Sequence, residues 1–212
     1  MLPLGDDNST RRTVPIITYL LIAANFLVFF IELAAGDQFI NTWSFVPAVY
    51  QADRLFGWIT IFTSMFMHGG WMHILGNMLY LWIFGDNVED RLGHGRFLLF
   101  YLACGVAAAF AQMMPDPNST IGCLGASGAI AGVLAGYLVL FPRQRVRVLL
   151  LNFVIPLPSI VVIGFWFILQ LFSQFSGSSD GVAYMAHIGG FLTGLVLVLL
   201  LRKRQAPPQL PY

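Results

Sequence analysis

The chain has 212 residues, 58% of them hydrophobic and only 10% charged, with a formal net charge of +1 and a mean hydropathy of +0.76. Soluble domains carry about 25% charged residues, so a water-soluble globule is excluded, as are intrinsic disorder, a collagen-like or repeat architecture and a nucleic-acid binder. What remains is a multi-pass membrane protein, with room for about six helices of ~20 residues each.

Apolar runs fall at 14–35, 70–85, 96–114, 126–141, 158–175 and 182–201. The first is long and lacks a small-residue cleavage site, which predicts a retained span rather than a signal peptide. The stretch 36–69 is aromatic (Trp43, Phe45, Tyr50, Phe56, Trp58) and predicts a long external loop resting in the interface. The fourth and fifth runs are short and contain glycine, which suits helices packed inside a bundle. Pro158 is welcome at a helix start, so the fifth span begins there and Val148–Ile155 is expected along the interface.

Basic residues set the orientation. Arg11 and Arg12, Arg91 and Arg96, Arg143, Arg145 and Arg147, and Arg202, Lys203 and Arg204 all fall on one side; only Arg54 lies in an alternate loop. The positive-inside rule then places both termini in the cytoplasm and supports an even number of spans. The organisation expected is a cytoplasmic segment at 1–13, one helical domain at 14–201 and a cytoplasmic tail at 202–212. Cys104 and Cys123 sit in no CxxC or Cys/His cluster, so neither a metal site nor a disulfide framework is suggested.

Ionisable and nucleophilic side chains inside a span are costly and often functional. Four stand out: His73 and Asn77 in the second span, Ser127 at the start of the fourth, and His187 early in the sixth. Spans two, four and six all enter from the external side, so the four share one depth in the outer half of the bilayer. Each also has a plain structural reading. A serine between glycines is usually a packing residue, and Gly128, Gly132 and Gly136 form a ridge for close helix contact. His187 alone fits a core histidine or a proton relay. His73 and Asn77 share a helix face and could bond a neighbouring helix. His68 is expected at the external boundary, and His94 in a solvated turn.

Together the four fit nucleophilic catalysis better. Gly125-Ala126-Ser127-Gly128 brings a loop into a helix, whose free N–H groups and positive dipole end favour an oxyanion. Gly190 and Gly194 follow His187 on one face, so the sixth span can meet the helix-contact glycines Gly125, Gly128 and Gly132 and bring His187 to Ser127 as its base. No acidic residue lies in either span, and Asp116 and Asp180 belong to loops. A Ser–His dyad is expected rather than a triad.

With these residues the chain resembles the rhomboid intramembrane serine proteases. The matching segments are His68-Gly69-Gly70-Trp71-Met72-His73-Ile74-Leu75-Gly76-Asn77, Gly125-Ala126-Ser127-Gly128, and Ala186-His187-Ile188-Gly189-Gly190 with Gly194; Gly85, Glu89 and Gly93 resemble a further family pattern. The resemblance implies a six-transmembrane-helix bundle, all α, with an outward-facing wet cavity. It implies an endopeptidase that cuts single-pass transmembrane proteins in or near their membrane segment, without metal or cofactor. It also implies an oxyanion hole made of the Ser127 N–H, His73 and Asn77, and a mobile fifth span carrying Trp166 and Gln170. Such a protein lies in a bacterial or archaeal cytoplasmic membrane, or an organelle's. Two positions depart from the family's pattern: Ile59-Thr60 stands where Trp-Arg is common, and Ala131 where an aromatic packs on the catalytic histidine. The alternatives are an inactive rhomboid-like binding protein and a small transporter or channel using His73 and His187.

Overall fold

The computed structural model describes residues 1–9, 11–177 and 181–202. Lys203 and Arg204, the rest of the expected tail to 212, and Asp180 lie outside the described residues. In chain order the elements are β1 (Leu2–Gly5), α1 (Ile16–Ala35), α2 (Asp37–Trp43), α3 (Pro47–Ala52), α4 (Arg54–Ser64), α5 (Trp71–Leu92), α6 (His94–Met113), α7 (Ser127–Leu140), β2 (Arg145–Leu150), β3 (Phe153–Pro158), α8 (Ser159–Phe175) and α9 (Tyr184–Leu201).

Three helices, α1, α6 and α9, are long and apolar enough to cross a membrane, and α7 and α8 are shorter apolar helices. At 1.5 Å per residue a helix of about 20 residues covers the ~30 Å of a bilayer's hydrocarbon. α5 is the longest helix, at 22 residues. It runs past the apolar stretch through Asp86, Glu89 and Asp90 and stops at Gly93, whose φ of 83° ends the helix.

α7 stands at the centre. Every residue from Gly128 to Tyr137 is buried, and α5, α6, α8 and α9 all pack against it. Small residues make this possible. A Cβ on Gly190 of α9 would stand 2.0 Å from the Gly128 carbonyl oxygen, and one on Gly194 would stand 2.5 Å from that of Gly132. On α7, Gly128 and Gly132 present their Cβ positions to α6 instead, 2.4 Å from the Ala108 Cβ and from the Cys104 Sγ. The glycines of α7 and α9 therefore do not simply face one another. Those of α9 seat on the α7 backbone, while those of α7 admit α6.

The chain is not helical throughout. β1, β2 and β3 form an antiparallel sheet in that order, and Val148–Ile155, expected along the interface, is the heart of a hairpin. Arg145-Val146-Arg147-Val148 alternates with a period of two, burying Val146 and Val148 and exposing both arginines. Pro3, Pro156 and Pro158 fall on the two outer strands, where a missing N–H costs no ladder bond. The long stretch after α1 likewise folds into α2, α3 and α4. Asp53 caps α4 by accepting from the Phe56 N–H at 3.0 Å.

The N-terminal segment is built into the bundle. Tyr137 and Asn87 donate to the Asp6 carboxylate at 2.6 and 2.8 Å, and Arg11 pairs with Asp86 at 2.6 Å. Glu89, fully buried, accepts from the Ile17 and Thr18 N–H groups and the Thr18 hydroxyl, satisfying the start of α1. His94 is no free turn residue: it opens α6, with Nδ1 at 2.5 Å from Glu89 Oε1.

Candidate active site

His73, Ser127 and His187 lie in the first turn of α5, α7 and α9, and Asn77 one turn further along α5. All four line one cavity of about 1020 Å³. Tyr80, Gln112, Leu134 and Trp166 add to its wall.

Ser127 Oγ and His187 Nε2 are 2.8 Å apart. This contact joins residues sixty positions apart in sequence, and the α7–α9 glycine seat brings them together. On its other edge, His187 Nδ1 lies 2.8 Å from Gln170 Oε1 of α8. The Trp166 ring lies 5.8 Å from the His187 ring and the Tyr184 ring 6.3 Å. An aromatic from α8 thus covers the histidine that Ala131 of α7 cannot reach. Ala186, just before His187, donates its N–H to Gln112 Oε1 at 3.1 Å, tying the start of α9 to α6.

His73 reaches the neighbourhood of the serine from α5. The Gly69 N–H donates to its Nδ1 at 3.3 Å, which leaves the hydrogen on Nε2. That Nε2 is 2.9 Å from where a Gly125 Cβ would stand, and Ser127 Oγ is 3.6 Å from the same point. Gly125 was expected as a helix-contact residue. It precedes α7, holds a φ of 132°, and makes room for the His73 ring. Asn77 is buried, and its Nδ2 has no hydrogen-bond partner among the described residues. No side chain caps α7, so the N–H of Ser127 opens the helix uncovered.

His68, in the stretch between α4 and α5, is fully buried within the protein. Its ring packs edge-on to His73 at 5.0 Å, and burial, with the neighbouring His73, pushes its pKa down to about 4. Its backbone N–H donates to the Glu32 carboxylate at 3.1 Å. The residues before Ser127 are pinned as well. Phe45 and Cys123 exchange backbone bonds of 3.0 and 2.8 Å, and the Gly125 N–H donates to the Ser64 carbonyl at 2.9 Å. At the first departure from the family pattern, Thr60 is buried and bonds the Gly57 carbonyl. Trp58 beside it meets the Tyr50 and Phe110 rings edge-on at 6.2 and 5.5 Å. Aromatic packing anchors this loop.

Sequence reasoning missed Gln112 and the contact made by Gln170. Gln112 is the single amide of α6 and Gln170 one of two in α8, both helices being largely apolar, and that is the signal they carried. Among the described residues no three His, Cys, Asp or Glu side chains gather in a metal-holding group. The constellation present can do acid–base and nucleophilic chemistry: a hydroxyl on an imidazole, facing donors across a cavity.

A model of the Rhomboid domain matches residues 55–204. The chain is 34% identical over 192 residues to Rhomboid protease GluP of Bacillus subtilis, covering 87% of this chain and 35% of that protein. It is 31% identical over 168 residues to Rhomboid-like protein 11, chloroplastic, of Arabidopsis thaliana, covering 74% and 58%. It is 27% identical over 192 residues to the rhomboid YdcA of Bacillus subtilis, covering 89% of each. The chain therefore spans less than two thirds of the length of the first two and most of the third.

Proposed function

The chain belongs to the rhomboid family, and from that premise we propose that it is an intramembrane serine endopeptidase working through a Ser127–His187 dyad. The observation that carries the reading is the 2.8 Å contact between Ser127 Oγ and His187 Nε2. Ser127 Oγ attacks the carbonyl carbon of a peptide bond while its proton passes to His187 Nε2. The carbonyl oxygen becomes an oxyanion, held by the Ser127 N–H, His73 Nε2 and Asn77 Nδ2. His187 then gives the proton to the leaving nitrogen, the C–N bond breaks, and an acyl-serine ester remains. Water attacks the ester, His187 takes its proton, and the serine hydroxyl is restored as the C–Oγ bond breaks.

The substrates in this reading are single-pass transmembrane proteins, cut within or near their membrane segment. Six helices, α1 and α5 to α9, cross the membrane. Both termini face the cytoplasm, and the address is a bacterial or archaeal cytoplasmic membrane. What supports this side assignment is that Arg11, Arg91, Arg96, Arg145 and Arg147 gather at the end of the bundle away from Ser127. Arg11 pairs with Asp86 there, Arg91 stacks on Phe141, Arg96 bonds the Leu201 carbonyl, and β2 pairs with β1.

The test is cleavage of single-pass substrates by the purified chain, with fluorophosphonate labelling alongside. Ser127→Ala is expected to abolish both while leaving a folded protein, because it removes one oxygen at a small-residue position. His187→Ala is expected to abolish cleavage and strongly reduce labelling. Cleavage retained by either variant overturns the dyad.

A further inference from the structure

Neutral histidine has two tautomers, and only one can serve Ser127. Nε2 must carry the lone pair, so Nδ1 must carry the hydrogen. The structure holds the group that would choose between them. Gln170 is one of only four buried residues on α8, a largely apolar helix, and the one buried amide among them. Its amide nitrogen donates to the Trp166 carbonyl at 3.1 Å, one turn back on the same helix. That bond fixes which end of the amide faces α9: the oxygen, at 2.8 Å from His187 Nδ1. An amide oxygen only accepts, so the hydrogen of His187 sits on Nδ1 and Nε2 is left free for the serine hydroxyl.

We propose that Gln170 is a positioning residue of the reaction, holding from α8 the tautomer and ring orientation in which His187 is a base toward Ser127. The proposal rests on the dyad reading and deepens it. Once His187 has taken the serine proton, its Nδ1–H belongs to a cation, and the bond to Gln170 becomes charge-assisted and stronger. An interaction that strengthens toward the transition state acts on kcat rather than on KM. Gln170 is buried, with its amide bonded to the Trp166 carbonyl and to His187. The other titratable side chains lining the cavity are His73 and Tyr80 of α5 and Cys123 before α7, and the Tyr184 ring lies 6.3 Å from His187 on its own helix. Because His187 belongs to α9 and Gln170 to α8, the seat of α8 governs whether the base is ready.

The experiment compares Gln170→Leu and Gln170→Glu in the purified full chain, measuring kcat, KM, the acid limb of the pH–rate profile and thermal stability. Leucine fills the space and accepts nothing. It is expected to lower kcat about tenfold to a hundredfold, the value of a hydrogen bond to a charged group, with KM within about twofold. The acid limb should move to lower pH, because the imidazolium loses an acceptor. Glutamate keeps an acceptor oxygen at the same reach, and is expected to recover most of kcat and bring the acid limb back up. A role confined to packing would lower stability in Gln170→Leu without moving the acid limb, and would gain nothing from glutamate. Native kcat in Gln170→Leu, an unmoved acid limb, or a Gln170→Glu as slow as Gln170→Leu each overturns the proposal. If Gln170→Leu does not fold, the kcat and acid limb of Gln170→Glu against the native chain decide. Ser127→Ala and His187→Ala run beside them. If those are inactive while Gln170→Leu is unaffected, the positioning role alone fails; if either still cleaves, the dyad itself fails.

Discussion

At the scale of single residues, the site is a set of polar groups that a membrane interior would otherwise penalise. Asn77 shows this, because its buried Nδ2 donor has no partner among the described residues. A donor buried at such a cost is suited to a charge that appears only during reaction. Removing one oxyanion donor from a soluble protease costs about 10²–10³ in kcat. With His73 and a backbone N–H remaining, Asn77→Ala is expected to slow turnover by about tenfold or more while Ser127 still labels. If Asn77→Ala and His73→Ala both turn over at the native rate, this face of α5 has no part in holding the oxyanion. Ser127, His187, His73 and Asn77 were legible in the sequence because polar residues in apolar runs are few. Gln170 was visible for the same reason, but its role was not. The partner that gives it meaning lies on another helix, and no spacing rule connects the two.

At the scale of elements, the geometry of the dyad rests on how closely α9 sits on α7. Gly190 approaches the Gly128 carbonyl so closely that no side chain fits between them. Bulk added to a packed interface costs about 1–3 kcal/mol, and a displacement near 1 Å can cost about 10² in rate. Gly190→Val is therefore expected to lose about a hundredfold or more in cleavage and to melt at lower temperature. Leu200→Val, at a position 74% exposed on the same helix, should change little. Cleavage by Gly190→Val at the native rate would mean that His187 reaches Ser127 by some other support. The long helices were readable from their apolar runs, and Pro158 marked a real boundary, but α5 runs on from 85 to Leu92. α2, α3 and α4 were not, because six to eleven residues of mixed polarity carry too little periodicity to separate helix from loop. The hairpin was missed for a different reason. Its period-two alternation is present in Arg145 to Val148, but in so apolar a chain it reads first as a stretch lying on the membrane.

At the scale of the whole molecule, the end of the bundle away from the site is tied by the N-terminal segment. Burial pushes the Asp6 carboxyl from its ordinary value near 3.8 up to about 6, against the opposing pull of the Tyr137 hydrogen bond. The folded protein therefore keeps a proton that the unfolded chain releases. Stability from this group is full below the ordinary value, declines as pH rises, and is gone above about 6. Asp6→Asn keeps an acceptor oxygen for Tyr137 and removes the titration. Its melting temperature should stay flatter between pH 4 and 7 than the native chain's and exceed it at pH 7; parallel curves would show that Asp6 does not govern this window. The same segment has a consequence for synthesis. β1 pairs with β2, Leu2 opposite Leu149. At about 5–20 residues per second a ribosome needs roughly 7–30 s to make the stretch that separates them. For that interval the strand has no sheet to join, while the helices between are being threaded into lipid. A segment translated before α1 is thus among the last to dock, and its arrival closes the assembly rather than starting it.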